Sequence, residues 1–306
     1  MPKTKNAAPV LMVGSVALDS IKTAKADKPR LLGGSASHAA LAASFFAPVQ
    51  LVGIVGDDFP KSYLQLYQRH GIDLAGLQVA HGKTFHWAGE YEVDMNRRRT
   101  LRTELGVFAS FSPQLPDTYV RTPFVLLGNI APSLQHHVLD QMRNPRLVVA
   151  DTMDLWLNTA LGDLLKLLRR IDVLVINDTE ACQLANESNV ITAAARIHRL
   201  GPKYVIVKKG EHGAILSTPA GLFLAPAVPL KKVVDPTGAG DSFAGGFLGY
   251  LASCRGPLEN HLRRAVIYGT VVASFCCEGF GLSGTARATR AMIEERVRAL
   301  EKLVRF

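Results

Sequence analysis

The 306-residue sequence predicts an α/β fold: a three-layer α/β/α sandwich with a mainly parallel sheet and a small β-sheet lid. One observation is that short, continuous runs of β-branched and other apolar residues alternate with helix-like stretches along most of the chain. Such runs are typical of strands buried on both faces, and their alternation with helices indicates parallel β-α-β units. A second observation is the period-two alternation of apolar and polar residues over residues 83–107, which predicts a half-buried hairpin.

The predicted strands of the main sheet are Val10–Leu18, Val49–Val55, Phe124–Leu127, Leu147–Ala150, Val173–Ile176 and Tyr204–Val207. Apolar residues recur with helical spacing between them, in Ser37–Phe46, Pro60–Arg69, Leu134–Met142, Leu157–Leu168, Glu180–Ala185 and Thr192–Leu200. The last third predicts a strand pair and then long helices, with Ala214–Ser217 and Leu222–Leu224 as the strands and helix starts near Asp241, Leu258 and Thr289. We therefore expect one large α/β domain over residues 9–306.

Residues 20–32 and 83–107 interrupt this alternation. We expect them to form a small sheet that projects from the domain and covers the strand ends as a lid. The second segment is predicted to turn near Asn96 and Arg97. The basic run Arg97–Arg99 at this turn is interpreted as a solvent-exposed hairpin tip, because charge runs are usually solvated.

One face of the predicted lid hairpin is aromatic and carries Phe85, Trp87 and Tyr91. These rings would either stack a nucleobase or form the core of a homodimer joined through the lids. The sequence leaves both interpretations open.

The net charge is +9, from 35 Lys and Arg against 26 Asp and Glu. The basic residues are scattered, so the charge favours small anionic substrates such as nucleotides rather than nucleic acid. No apolar run approaches the ~18 residues that a membrane span needs. The four cysteines lack C-x-x-C or other metal-binding spacing, so we expect reduced thiols in a cytoplasmic protein with no membrane partner.

The strongest local signal is the string Val233–Phe243. Gly238, Ala239 and Gly240 are small residues whose backbone N–H groups an anion can approach closely. The apolar run that follows predicts a helix, so these amides lie at a helix N-terminus, which favours negative charge. Asp241 stands in the same first turn, and the helix N-terminus is expected to lower the pKa of its carboxyl.

This string resembles the signature of the ribokinase (PfkB) family of carbohydrate and nucleoside kinases. Further elements of the family pattern follow one another in the same order along the chain: Asp19, Gly33-Gly34, Val52–Asp58, Asn177–Glu180 and Lys209–Gly213. The resemblance covers nearly the whole chain. It implies a ribokinase-like fold and transfer of the γ-phosphoryl group of ATP to a hydroxymethyl group of a sugar or nucleoside.

The resemblance also implies roles for the Val233–Phe243 string. Asp241 would be the base that accepts the proton of the substrate hydroxyl, and the amides of Gly238, Ala239 and Gly240 would form an anion hole for the transferred group. These roles suit phosphoryl transfer, in which positioning and charge stabilisation matter more than raw basicity.

For the nucleotide, the resemblance implies that Asn177 and Glu180 hold Mg²⁺ through water beside the ATP phosphates. It also places Lys209, Gly210, Gly213 and Thr237 in the ATP site. Many relatives hold K⁺ beside the anion hole. Asp235 and Thr237 match the first part of that site, and its second part is expected near residues 273–281.

On the acceptor side, the resemblance implies substrate contacts by Asp19, Gly33, Gly34 and His38. The family usually carries Asn where this chain has His38. An imidazole cannot both donate and accept hydrogen bonds as an amide does, so His38 would either select another hydroxyl pattern or pack against the helix. The choice between a sugar and a nucleoside as substrate stays open.

The departure at His38 keeps a second function open, a ribokinase-like regulator that binds ligands without turnover. Product formation distinguishes the two functions. Gly82-Lys83-Thr84 imitates part of a P-loop, but the preceding glycine is missing and no helix follows. The first predicted strand is not followed by the G-x-G-x-x-G of a dinucleotide-binding oxidoreductase.

Overall fold

The computed structural model describes residues 7–95 and 97–305. The strands in chain order are β1 (Val10–Val13), β2 (Ala17–Thr23), β3 (Ala26–Gly33), β4 (Val49–Gly56), β5 (Ile72–Ala80), β6 (His86–Tyr91), β7 (Arg98–Glu104), β8 (Phe124–Leu127), β9 (Leu147–Asp151), β10 (Val173–Asn177), β11 (Tyr204–Lys208), β12 (Ala214–Thr218) and β13 (Gly221–Ala225). The helices are α1 (Ser35–Ala43), α2 (Lys61–Arg69), α3 (Pro132–Gln141), α4 (Asp154–Thr159), α5 (Leu161–Leu168), α6 (Asp178–Ala185), α7 (Val190–His198), α8 (Ala239–Ser253), α9 (Leu262–Cys276), α10 (Ser283–Arg287) and α11 (Arg290–Leu303).

The main sheet has the strand order β13-β12-β11-β10-β9-β8-β1-β4-β5 within the described residues. The strands from β11 to β5 pair in parallel, and β12 and β13 add an antiparallel edge. Alternate residues of one strand enter different cores: Val10 and Met12 pack on one side of the sheet, and Leu11 and Val13 on the other. This explains the continuous apolar runs, because both faces of the sheet are buried.

Two helical layers cover the sheet. Residues of α1, α2, α8 and α9 belong to one core, and residues of α3 to α7 belong to the other. The predicted three-layer α/β/α sandwich is therefore confirmed. In the described residues 7–95 and 97–305, no helix is long and apolar enough to cross a membrane.

A second sheet, with strand order β3-β2-β6-β7, forms the small lid. Its β2 and β6 run parallel, and its other pairs are antiparallel. Glu90 forms ion pairs with Lys22 at 2.9 Å and with Arg99 at 2.7 Å on the face opposite Trp87 and Tyr91. The predicted turn includes Asn96, which lies outside the described residues.

The predicted first strand Val10–Leu18 is wrong as one element. It ends at Val13, and β2 begins at Ala17, so Asp19 lies inside β2 rather than at the end of β1. A Cβ at Gly14 would lie 2.5 Å from Ser35 Oγ, and Ser15 Oγ accepts the N–H of Ser35 at 3.0 Å. The break lets the chain approach the start of α1 closely.

Two further elements differ from the sequence prediction. The predicted helix Leu157–Leu168 divides at Ala160 into α4 and α5. The edge strand β5 was not predicted, although apolar residues recur in its sequence. Its partly exposed pattern lacks the continuous apolar run by which the buried strands were identified.

Candidate active site

The carboxyl ends of three neighbouring parallel strands bring polar residues together. Asp151 ends β9, Asn177 ends β10 and Lys208 ends β11. Asn177 is in register with Lys208, and Asp151 with Val175 two residues before Asn177. Ligands of open α/β sheets bind at this edge.

The N-terminus of α8 lies against the same edge. Gly238 caps the helix in the left-handed conformation with φ +76°, and a Cβ there would lie 2.3 Å from the His38 ring. At Gly240 a Cβ would lie 2.9 Å from Lys208 Nζ. The N–H of Ala239 donates to the carbonyl of Pro236 at 3.1 Å. The glycines therefore allow a close approach of backbone and side chains that bulkier residues would prevent.

Asp241 lies in the first turn of α8, as predicted, but its pKa is not lowered. Loss of surrounding water raises the pKa of Asp241 to about 7, and the negative charge of Asp151 adds to the effect. The charges of Lys208 and Arg98 act in the opposite direction. Dehydration therefore outweighs the helix N-terminus on which the sequence prediction relied.

Asp19, Gly33 and Gly34 form a compact group beside this turn. A Cβ at Gly33 would lie 1.9 Å from Asp19 Oδ2, so only glycine leaves room for the carboxylate. The backbone N–H of Gly34, which has φ +92°, donates to that carboxylate. Burial and the nearby charge of Asp235 raise the pKa of Asp19 to about 7.

His38 lies behind the Gly238–Gly240 turn, with 1% of its surface exposed. Its ring packs against Gly238, and its Nδ1 lies 3.6 Å from the Sγ of Cys276. The Cys276 thiol donates to the carbonyl of Thr237 at 3.2 Å. Burial lowers the pKa of His38 to about 4, so the imidazole is neutral at physiological pH. Its buried Nε2 has no hydrogen-bond partner among the described residues, so contact with a substrate hydroxyl and packing against the helix both stay predictions.

The lid reaches the site through its aromatic face. Tyr91 and Thr237 share a hydrogen bond of 3.0 Å between their hydroxyls. The guanidinium of Arg98 lies 5.5 Å from the centre of the Trp87 ring. Burial raises the pKa values of Asp19, Tyr91 and Asp241, and the charge of Arg98 offsets part of that rise. Neighbouring residues of the basic run therefore lie on different faces of the lid. Arg99 pairs with Glu90 on the face turned away from the site, whereas Arg98 lies on the face turned towards it.

Beside the Gly238–Gly240 turn lies a cavity of about 560 Å³. Its lining includes Lys208, Gly240, Gly210–Ala214, Val228–Leu230, Phe243 and Ala273. The predicted ATP residues Gly210 and Gly213 thus face it. The other residues predicted for the ATP site are not among the lining residues: Lys209, Thr237, Asn177 and Glu180. A cavity of this volume lies within the range of small-molecule and cofactor sites.

Asn177 and Glu180 form a capping box at the start of α6. Asn177 Oδ1 accepts the N–H of Glu180 at 2.7 Å, and Glu180 Oε2 accepts the N–H of Asn177 at 3.1 Å. Burial raises the pKa of Glu180, and the charge of Asp151 raises it further, against the opposing effect of Lys208. The carboxylate of Asp151 therefore lies close to that of Glu180.

This donor set fits Mg²⁺, which proteins usually bind through one or two carboxylates together with waters and substrate phosphates. Within residues 7–95 and 97–305, no three His, Cys, Asp or Glu side chains group as a metal site by themselves. The carboxylates present could thus share a metal with phosphate oxygens rather than enclose it.

Asp235 is fully buried beside the Gly238–Gly240 turn. Its two oxygens accept the backbone N–H groups of Thr237 at 2.9 Å and Gly281 at 3.1 Å. No Lys, Arg or His of the described chain forms an ion pair with it. Burial raises the pKa of Asp235. A buried carboxylate without a cationic side chain suits a monovalent cation.

Sequence reasoning missed Asp151, Lys208 and Arg98. Asp151 and Lys208 each follow directly after the apolar run of a predicted strand, so strand-end position was the signal that could have found them. For Arg98 the alternation of side chains along β7 could have separated it from Arg99, but that requires the register of the lid.

Comparisons with known proteins agree with this geometry. Residues 14–288 match the model of the pfkB family carbohydrate kinases. Cytidine kinase of Thermococcus kodakarensis is 31% identical over 262 residues, which cover 83% of this chain and 92% of that protein.

Two solved structures share the fold. Methanocaldococcus jannaschii nucleoside kinase, an archaeal member of the ribokinase family, has a TM-score of 0.78 at 22% identity and covers 96% of this chain and 99% of its own. Arabidopsis thaliana ribokinase, in complex with ribose and ATP, has a TM-score of 0.77 at 22% identity and covers 95% and 99%. Together with the family match, these findings show that the chain belongs to the pfkB family of carbohydrate kinases and is a phosphotransferase with an alcohol group as acceptor.

Proposed function

We propose that this protein transfers the γ-phosphoryl group of ATP to a hydroxymethyl group of a nucleoside or sugar. The observation that carries the proposal is the position of Asp241. Its carboxyl lies in the first turn of α8, beside the Gly238–Gly240 backbone, and acts electrostatically with Lys208 at the edge of the nucleotide cavity. The proposed base and the proposed anion hole thus meet beside the cavity at one helix terminus.

In the proposed reaction, the acceptor oxygen forms a bond to the γ-phosphorus while the bond from that phosphorus to the bridging oxygen of ADP breaks. The hydroxyl proton passes to the ionised carboxylate of Asp241. The amides of Gly238, Ala239 and Gly240 stabilise charge on the transferred group; for Ala239 this requires its bond to Pro236 to open. With a pKa of about 7, Asp241 is a suitable base near neutral pH.

For the acceptor, we propose that Asp19 accepts hydrogen bonds from substrate hydroxyls beside the closely packed backbone of Gly33 and Gly34. His38 supports this pocket from behind by packing against Gly238. A nucleoside is favoured over a free sugar because Trp87 and Tyr91 lie on the lid face that turns to the site, where a base can stack. The relatives from Thermococcus kodakarensis and Methanocaldococcus jannaschii are a cytidine kinase and a nucleoside kinase.

For the nucleotide, we propose that Gly210 and Gly213 border ATP in the cavity, with Lys209 and Thr237 at its margin. Asn177 and Glu180 would hold Mg²⁺ through water, and the metal would neutralise charge on the phosphates. Asp235, with the carbonyl of Thr237, would hold K⁺. The cation would balance a buried negative charge that lies close to Asp19 and to the anion hole.

Asp241→Asn tests the proposal. We expect the variant to keep the fold and to lose nearly all acceptor-dependent release of ADP from Mg·ATP, since an amide cannot accept the hydroxyl proton. Asp163→Asn, which removes an exposed carboxylate of α5, is the matched control and is expected to keep wild-type turnover. Substantial turnover by Asp241→Asn would remove Asp241 from the mechanism. A wild-type protein that binds ATP but forms no product would favour the regulator.

A further inference from the structure

Lys208 and Asp151 form an ion pair at the carboxyl edge of the sheet. Lys208 Nζ lies 2.9 Å from Asp151 Oδ2 and 3.3 Å from Oδ1, and the two side chains are 20% and 5% exposed. The pair joins β11 to β9 across the end of the intervening β10. A single exposed ion pair contributes little, but this one is largely removed from water and its geometry is fixed by two strands.

The ammonium group also lies against the anion hole. The position of a Cβ at Gly240 would be only 2.9 Å from Lys208 Nζ, and both residues line the nucleotide cavity. An ammonium group has three N–H donors, and the hydrogen bonds of Lys208 to the two oxygens of Asp151 point towards β9. Donor capacity therefore remains for a ligand in the cavity, on the line between the nucleotide and the first turn of α8.

The surroundings keep Lys208 charged. Burial alone would lower the pKa of Lys208, but the negative charges of Asp151 and Glu180 outweigh it, so the pKa is raised. A permanently protonated amine next to an anion hole supplies a full positive charge where backbone amides supply only partial ones.

We propose that Lys208 is a further catalytic residue of this kinase, whose ammonium group donates a hydrogen bond to an oxygen of the γ-phosphoryl group, and that Asp151 is the residue that positions it. This inference rests on the proposed function, because it assumes that ATP occupies the cavity with its phosphates at α8. Lys208 forms no covalent bond and transfers no proton. Its charge offsets the charge that the phosphoryl oxygens carry during transfer.

If the Lys208–Asp151 ion pair only held β9 and β11 together, its removal would leave nucleotide binding unchanged. The two roles are therefore separated by comparing ADP with the β,γ-imido analogue of ATP, which differ in the γ-phosphate. Isothermal titration calorimetry in the presence of Mg²⁺ measures both affinities on the full chain. This measurement needs no acceptor, so it is independent of whether product formation has been found.

We expect Lys208→Met to reduce the preference for the triphosphate over ADP by about tenfold or more, the loss of one hydrogen bond to a charged group. Lys208→Arg retains the charge and is expected to keep part of the preference. Lys166→Met is the matched control, because Lys166 pairs with Asp163 at 3.0 Å on the exposed surface of α5. The proposal would be overturned if the wild type, Lys208→Met and Lys166→Met all showed the same ratio of affinities for the ATP analogue and ADP, whether that ratio is large or small.

Lys208→Met leaves Asp151 as a buried unpaired charge, which itself destabilises the fold. The double variant Lys208→Met/Asp151→Asn removes both charges and tests the same prediction if the single variant does not fold. We also expect Asp151→Asn to reduce the preference less than Lys208→Met does, and to add nothing when Lys208 is already Met. Additive effects, or a changed Mg²⁺ requirement with an unchanged triphosphate preference, would contradict the positioning role of Asp151.

Failure of this inference and failure of the proposed function give different results. If the wild type releases ADP with an acceptor and Lys208→Met keeps its kcat, only the role of Lys208 is wrong. If no acceptor raises ADP release but the triphosphate preference depends on Lys208, the nucleotide site stands and the proposed acceptor chemistry does not.

Discussion

Asp241 and Asp19 are held in surroundings that favour their protonated forms. Loss of water raises both pKa values to about 7, well above the value of an exposed carboxyl. A base that must be ionised to act is then half-protonated at neutral pH. We infer that the free enzyme stores this electrostatic cost at the site, where bound cations and substrate donors can relieve it.

This cost predicts a pH-dependent stability for Asp241→Asn. The unfolded carboxyl ionises near its ordinary pKa of 3.8, and the folded one only at about 7, so stability is lost as pH rises between the two values. Asp241→Asn has no carboxyl to ionise at this position, so the variant does not lose stability in this way. We expect the gain in melting temperature to be largest above pH 7 and to vanish near pH 4, measured by differential scanning calorimetry. A gain that is constant with pH, or absent at about pH 8, contradicts the raised pKa.

The same pKa governs turnover. In the wild type, kcat/KM, which reports the free enzyme, is expected to fall as pH decreases through about 7, because Asp241 becomes protonated and can no longer accept the hydroxyl proton. A kcat/KM profile without a titration near neutral pH would show that another group is the base.

Gly238 combines a left-handed backbone with close packing on His38. Gly238→Ala would place a Cβ 2.3 Å from the imidazole at φ +76°, and the backbone conformation alone costs about 1 kcal/mol for a residue with a side chain. We expect a lower melting temperature and a kcat reduced by about tenfold or more, because the amides at the start of α8 move.

Gly162→Ala is the control for this prediction. Gly162 lies in α5, where an added Cβ would have no other atom within 4 Å, and it belongs to an element that contributes no residue to the proposed chemistry. Its replacement is expected to leave kcat unchanged and stability equal or slightly higher. Equal behaviour of the two variants would show that Gly238 has no special role.

At the scale of elements, a hydrogen bond between Tyr91 and Thr237 joins the lid to the start of α8. Tyr91→Phe keeps the ring and removes this bond. We expect KM for the acceptor to rise by about threefold to tenfold with little change in kcat, as the loss of one neutral hydrogen bond on closure implies.

Tyr204→Phe provides the comparison in steady-state kinetics, since the Tyr204 hydroxyl donates to Glu259 Oε1 at 2.9 Å at the opposite end of β11 from Lys208. It should leave both constants unchanged. A reduced kcat with an unchanged KM in Tyr91→Phe would indicate that the bond orders the anion hole rather than the lid.

The central strands were predictable because burial on both faces imposes continuous apolar runs, as in β8, β9, β10 and β11. The edge strand β5 carries no such constraint and was missed. The break between β1 and β2 depends on Ser35, twenty residues away, which pairs with Ser15. Tertiary contacts of this kind are not encoded in the local pattern.

The candidate site divides in the same way. Gly238, Gly240 and Asp241 were predictable because they are contiguous and their chemistry belongs to a single helix terminus. Lys208 and Asp151 become neighbours only through the strand order of the sheet. The pKa of Asp241 was predicted in the wrong direction, because the helix N-terminus is a local property whereas dehydration depends on the whole fold.

At the scale of the molecule, the two faces of the lid sheet differ in character. The face with Trp87 and Tyr91 turns to the site, and the opposite face carries the ion pairs of Glu90. The homodimer through the lids stays a prediction. The positive net charge of +9 favours the approach of ATP to a cavity whose lining includes Lys208.

The measurement that tests the central claim most directly is ³¹P NMR of a reaction with Mg·ATP and K⁺, run against pooled nucleosides, pentoses, hexoses and phosphosugars. We expect one pool to yield ADP and an equal amount of a phosphate monoester whose signal is split by two methylene protons, as phosphorylation of a hydroxymethyl group requires. ADP formation without a monoester, a monoester on a secondary hydroxyl, or no product in any pool would contradict the proposed reaction.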